Sequence, residues 1–195
     1  MMKFSLHPFD ITDVVLVRSK RFVDRRGYFM ETWSESEFER LGISARFVQD
    51  NQSLSKPRGT LRGLHFQRGP FEQAKLIRVT QGAIFDVAVD LRRGSPTFGR
   101  WCGATLTGDG GDQLFIPVGF AHGFVTLEPE VIVCYRVDSL YAPQAEGGIR
   151  WDDPEIGIEW PLEKRDLVLS DRDSKLPSFR DFRDALEAED RRLQA

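Results

Sequence analysis

Three histidines, His7, His65 and His122, occur in a chain of 195 residues, and two of them lie in stretches rich in glycine, arginine and aromatic residues. His65 sits in Leu61-Arg62-Gly63-Leu64-His65-Phe66-Gln67, and His122 in Ile116-Pro-Val-Gly-Phe-Ala-His-Gly123. Imidazole is the side chain whose ordinary pKa lies nearest neutrality. With a guanidinium close by, the first stretch suits proton transfer beside an anionic ligand. A lone strand histidine is more often a satisfied structural residue; the scarcity of histidine and the company it keeps weigh against that here. His7, in residues 5–8, has no such company and reads as structural or exposed.

Strand periodicity must position these groups. Alternation with period two puts Leu61, Gly63, His65 and Gln67 on one face, and Arg62, Leu64 and Phe66 on the other. Strands are also expected over 75–79 and 84–91, where Phe85, Val87, Val89 and Leu91 face one way and Asp86 and Asp90 the other. Further strands are expected over 100–107 and 114–116, and over 131–138, where Tyr135 points toward an apolar interior and its hydroxyl needs a partner. Residues 24–27, 68–70, 94–99 and 108–111 read as turns, and 53–59 as a polar loop. Gln49, Asp50 and Asn51 suit either a ligand edge or a turn. Ser34 followed by Glu37 has the spacing of a capping box, predicting a short helix that ends near Gly42. Phe179, Phe182, Leu186 and Leu193 recur at helical spacing amid dense charge, as in an amphipathic helix or tail.

Many short strands separated by glycine-rich turns predict an all-β fold, an antiparallel jelly-roll barrel with a few short helices, whose mouth is a ready ligand site. The length suits one domain over 1–195, with a core of about 14–177 and a charged C-terminal helix or tail over 178–195. A net charge of -3, from 27 Lys and Arg against 30 Asp and Glu, offers no general attraction for nucleic acid or acidic membranes. Cys102 and Cys134 are too few for a disulfide framework. No apolar run approaches the roughly 20 residues of a membrane span, and no secretory leader pattern is visible. A soluble, cytoplasmic protein is expected.

Jelly-roll proteins of the cupin superfamily often hold a metal, and this chain matches their two motifs in part. Gly59 and His65 fit the first, and Gly111, Pro117, Gly119 and His122 the second. Gln67, however, stands where the second histidine belongs, and Thr126 where the last asparagine does. His65, His122 and Glu72 are the one set that offers two histidines and a carboxylate for Fe(II). Glutamine is a poor replacement for imidazole, which favours a metal-free site.

Taken together, Phe47-Val-Gln-Asp-Asn51, Leu61 to Gln67, Ile116 to Gly123 and Ile149-Arg-Trp-Asp-Asp-Pro154 resemble the dTDP-4-dehydrorhamnose 3,5-epimerase family, with similarity running from about Val14 to Pro177. The resemblance implies a metal-free and cofactor-free cupin-type homodimer that inverts C3 and C5 of a dTDP-4-keto-6-deoxyhexose. It also implies roles: His65 as base, Asp173 as its orienting carboxylate, Tyr135 as acid, and Lys75 with His122 beside the enolate oxygen. Arg62 would grip the pyrophosphate. Arg26 and Glu31 would reach the nucleotide of the partner subunit, and Gln49, Asp50, Asn51, Tyr141, Glu146 and Arg172 fall on further ligand-contacting positions. The chemistry suits these residue types, since a C4 ketone acidifies the hydrogens at C3 and C5 and the reaction needs a base, an acid and a cation. For Arg62 and His65 to share one site, the strand must bulge or kink at Gly63.

The chain departs from the pattern at Leu140, where many members carry the first of two tyrosines, and at Arg172, where lysine is usual. Three other readings stay open. They are epimerisation at C3 alone, an Fe(II) cupin, and a sugar-nucleotide binding module without catalysis.

Overall fold

The computed structural model describes residues 2–11 and 13–193. The outermost residues of the domain expected over 1–195, together with Thr12 and the side chain of Leu193, lie outside the described residues. In chain order the elements are β1 (Phe4–Pro8), β2 (Val15–Ser19), β3 (Arg21–Asp24), β4 (Gly27–Met30), α1 (Glu35–Arg40), β5 (Gln49–Ser55), β6 (Leu61–Gln67) and β7 (Lys75–Gln81). These are followed by β8 (Ala83–Asp90), β9 (Trp101–Thr107), β10 (Asp112–Ile116), β11 (Phe120–Thr126), β12 (Val131–Val137), β13 (Glu146–Gly148) and α2 (Phe179–Leu193).

The strands form two antiparallel sheets, in the orders β1-β2-β10-β7-β12-β5 and β13-β6-β11-β8-β9, and β3 and β4 make a separate hairpin. This is the jelly-roll arrangement that the short, turn-punctuated strands predict. Between the sheets lies a core to which β7 and β12 give Ile77, Val79, Val131 and Val133, while β8 and β11 give Ile84, Ala88, Phe120 and Phe124. The same alternation that sends Ile84 and Ala88 inward sends Asp86 inward as well, where it is fully buried. Phe85, Val87 and Val89 point to the outer face of that sheet, into a second cluster closed by Ile149, Ile156, Phe179 and Phe182. β8 is therefore buried on both faces, because both are covered.

The C-terminal helix is thus packed on the body rather than frayed along its whole length. Burying Phe179 and Phe182 contributes on the order of 1.5–3 kcal/mol for each side chain. Ser34 is the N-cap of α1, but the capping box does not form: its hydroxyl meets Ser36 Oγ at 3.3 Å. The Glu37 carboxylate accepts instead from Arg40, its neighbour one turn on, at 2.6 Å.

One stretch is more regular than its composition suggests. Residues 50–51, read as a ligand edge or a turn, and 53–55, read as loop, all belong to β5, an edge strand paired along its whole length with β12. Its inward residues are polar: Ser53 and Ser55 line a cavity, and Gln49 and Asn51 bond one another, which removes the usual apolar signature of a strand.

Candidate active site

β6 turns its inner face toward a cavity of about 700 Å³ between the two sheets. In the pairing of β6 with β11, His65 faces His122 while Arg62 faces Phe124, so the ladder slips by one residue around Gly63. Gly63 has φ +133°, and a Cβ there would lie 2.6 Å from the Gly123 Cα. Only glycine allows β11 to approach this closely. The slip puts Arg62 and His65 on the wall of the same cavity.

His65 Nε2–H donates to Asp173 Oδ1 at 2.6 Å, which leaves Nδ1 as the ring nitrogen free to meet a ligand. Asp173 is buried, and burial raises its pKa. The hydrogen bond and charge of His65, with help from Ser170 and the Gly63 N–H, outweigh burial and hold the carboxyl below its ordinary value. Ser170 also anchors the turn, its Oγ accepting from the Asp173 N–H at 3.0 Å.

A second imidazole–carboxylate pair stands next to the first. His122 Nε2–H donates to Asp86 Oδ1 at 2.6 Å, and both side chains are buried. Burial lowers the His122 pKa despite Asp86, so this ring is neutral. Asp86 is the site residue that sequence reasoning passed over. A carboxylate at an inward position of an otherwise apolar strand demands a partner, but nothing in the sequence indicates that the partner lies 36 residues away.

The opposite sheet supplies Lys75 and Tyr135 to the same cavity. Burial brings the Lys75 ammonium down to about 8, against the pull of Asp86 and Glu146. Burial raises the Tyr135 phenol, opposed by the charge of Arg62, so the hydroxyl keeps its proton at neutral pH. Arg62 itself is steadied by Ser55 Oγ at 3.2 Å and the Leu54 carbonyl at 3.4 Å.

Around the mouth, Arg172 lines the cavity and donates to Glu146 Oε1 at 2.6 Å, while Tyr141 OH donates to Glu146 Oε2 at 3.0 Å. Gln49 and Asn51 bond one another at 2.8 Å, and Gln49 Oε1 accepts from the Tyr141 N–H at 3.2 Å. Asp50 points to the other face of β5, where Arg136 meets it at 3.3 Å. Arg26 caps the exposed β3–β4 turn, bound to Asp24, and Glu31 pairs with Lys3 at 2.7 Å. Neither lines the cavity of its own chain.

Glu72 borders a different cavity, of about 440 Å³, against α2. Gln67 is committed to backbone groups rather than aimed at the histidines. The donors of the Fe(II) reading therefore do not converge, and among the described residues no group of three or more His, Cys, Asp or Glu is placed to hold a metal. No helix among them is long and apolar enough to cross a membrane.

Proton transfer to and from a carbon acid, inside a cupin-type barrel, is the chemistry that this pairing of open imidazole, phenol and buried ammonium defines. The family description dTDP-4-dehydrorhamnose 3,5-epimerase matches residues 8–181, and the chain belongs to that family. The dTDP-4-dehydrorhamnose 3,5-epimerase of Sinorhizobium fredii is 50% identical over 87% of this chain and 86% of its own length. A Bacillus anthracis dTDP-4-dehydrorhamnose 3,5-epimerase solved with TDP and PPi bound has a TM-score of 0.87 at 46% identity, covering 90% of this chain and 99% of that one. The 3,5-epimerase of Legionella pneumophila, solved with dTDP-4-keto-L-rhamnose, has a TM-score of 0.86 at 41% identity, covering 90% and 92%.

Proposed function

We propose that this chain converts dTDP-4-dehydro-6-deoxy-D-glucose to dTDP-4-dehydro-L-rhamnose by inverting C3 and C5. The observation that carries this reading is the placement of base and acid on opposing sheets: His65 stands on one wall and Tyr135 on the other. A hexose ring between them presents one face to each.

His65 Nδ1 takes the hydrogen from the carbon next to the C4 ketone, and the bonding electrons move onto the C4 oxygen. The Lys75 ammonium stabilises that enolate, a role favoured by its burial, because charge interactions strengthen away from water. Asp173 holds the ring tautomer and favours the imidazolium that forms. Tyr135 returns a proton to the carbon from the other face, and the sequence repeats at the second carbon. His122, neutral and with Nδ1 open, suits accepting a hydrogen bond from a sugar hydroxyl. Arg62 and Arg172 meet the diphosphate, Arg62 through the paired donors of a guanidinium.

The reading extends to a homodimer. The β3–β4 hairpin exposes Phe22, Val23, Tyr28 and Phe29, the last at 69%, an apolar surface of the kind that marks an interface. Arg26 at its tip and Glu31, whose Oε1 is buried without a hydrogen-bond partner, then serve the nucleotide of a second copy.

Inversion at both carbons is favoured over C3 alone because Leu140 does not line the cavity that holds the base, the acid and the ammonium. Incubation with dTDP-4-dehydro-6-deoxy-D-glucose tests the proposal: NMR ring couplings of the L-rhamno product are expected, and unchanged substrate overturns it.

A further inference from the structure

Gln67 stands two residues beyond His65 on the same strand, where a metal-binding cupin would carry its second histidine, and the proposed reaction leaves it unused. It is buried at 7% exposure, and all of its hydrogen bonds go to backbone. Its amide nitrogen donates to the carbonyl of Phe71 at 2.6 Å and to that of Leu140 at 3.2 Å. Its amide oxygen accepts from the Ala142 N–H at 2.8 Å. One side chain thus ties the loop after β6 to both sides of Tyr141.

Tyr141 has few other restraints. It is 53% exposed, its ring joins no core cluster, and among the described residues its hydrogen bonds go to the Gln49 amide and the Glu146 carboxylate. Glu146 in turn holds Arg172 at the cavity mouth. Burial raises the Glu146 pKa, but the hydrogen bonds of Arg172 and Tyr141 outweigh it, so the carboxylate that joins the two stays charged.

We infer that Gln67 is a positioning residue for nucleotide binding, a clamp that fixes residues 140–142 and through Tyr141 and Glu146 presents Arg172 at the mouth. The inference rests on the proposed function for the identity of the ligand. The clamp lies beside the proton-transfer groups without touching them: no hydrogen bond joins Gln67 to His65, Asp173, Tyr135 or Lys75. Its loss must therefore appear in binding rather than in the chemical step.

Gln67→Met keeps the length and packing of the side chain and removes all three hydrogen bonds. Gln67→Glu keeps the acceptor for Ala142 but turns a carboxylate toward two carbonyls. For both variants, KM for the dTDP-sugar and Kd for dTDP alone, measured by calorimetry, rise about tenfold, as expected when hydrogen bonds that order a binding loop are lost, while kcat changes less than about threefold. The Ala142 amide exchanges with solvent faster than in the parent protein. Unchanged dTDP affinity in both variants overturns the inference, as does a fall in kcat at constant KM. Because dTDP binding does not require turnover, a parent protein that binds dTDP but inverts no carbon would refute the proposed reaction and leave the clamp standing.

Discussion

Arg62 and His65 are three residues apart on one strand, yet both side chains reach one cavity, because the ladder with β11 slips between the His65–His122 and Arg62–Phe124 pairs. An unbroken strand would send one of them to the opposite face. The slip depends on Gly63, which combines φ +133° with no room for a Cβ against the Gly123 backbone. Gly63→Ala is expected to cost about 2–4 kcal/mol of stability, combining left-handed backbone strain with overpacking, and to lower activity further by separating the two side chains. Thermal unfolding and turnover of the folded fraction check this.

The Asp173 carboxylate fixes which nitrogen of His65 is open. Asp173→Asn, which no longer compels Nε2 to carry the proton, lowers kcat by about 10²- to 10³-fold with little change in KM, and His65→Ala lowers it by roughly 10³-fold or more. Circular dichroism of both variants should match the parent, because His65 is only half-buried and asparagine keeps the shape of the buried Asp173 side chain.

In the proposed reaction base and acid stand on separate walls, which gives separable phenotypes. Tyr135→Phe keeps His65 and the enolate site but lacks the proton for the opposite face. This variant takes up solvent deuterium at the acidified carbon with retained configuration, and loses about 10²-fold in formation of inverted product. Inverted product at the parent rate would remove Tyr135 from its assigned role.

Burial sets Lys75 at about 8, and in the proposed reaction its protonated form is the active one. Activity therefore falls as pH rises through about 8. Asp86 and Glu146 are the charges that hold the ammonium up. Neutralising the one with the larger effect, as in Asp86→Asn, moves this alkaline limb to lower pH, whereas Lys75→Arg abolishes the limb and leaves a weaker enzyme. Profiles of kcat/KM against pH decide between these outcomes.

Period-two alternation made β7, β8 and β12 legible in the sequence, because these strands have an apolar side that must be buried, and it correctly turned Tyr135 inward. The same rule gave no signal at β5, whose inward side chains are polar, Ser53 and Ser55 against the cavity and Gln49 against Asn51. Local spacing placed His65 and His122 in motifs, but their carboxylates, Asp173 and Asp86, lie 108 and 36 residues away, and only the folded chain brings them together. For Asp173 a family resemblance filled the gap. For Asp86 the one local signal was an acid at an inward-facing position of a buried strand. The bulge at Gly63 was needed to reconcile Arg62 with His65, and the slip is where that requirement placed it.

The most direct test is NMR of dTDP-4-dehydro-6-deoxy-D-glucose incubated with the protein in D2O, following deuterium at C3 and C5 separately. With His65 and Tyr135 serving both carbons, deuterium enters both positions and the product has both centres inverted. Deuterium at C3 alone would contradict the double inversion, and deuterium at neither carbon would contradict proton transfer in this cavity altogether.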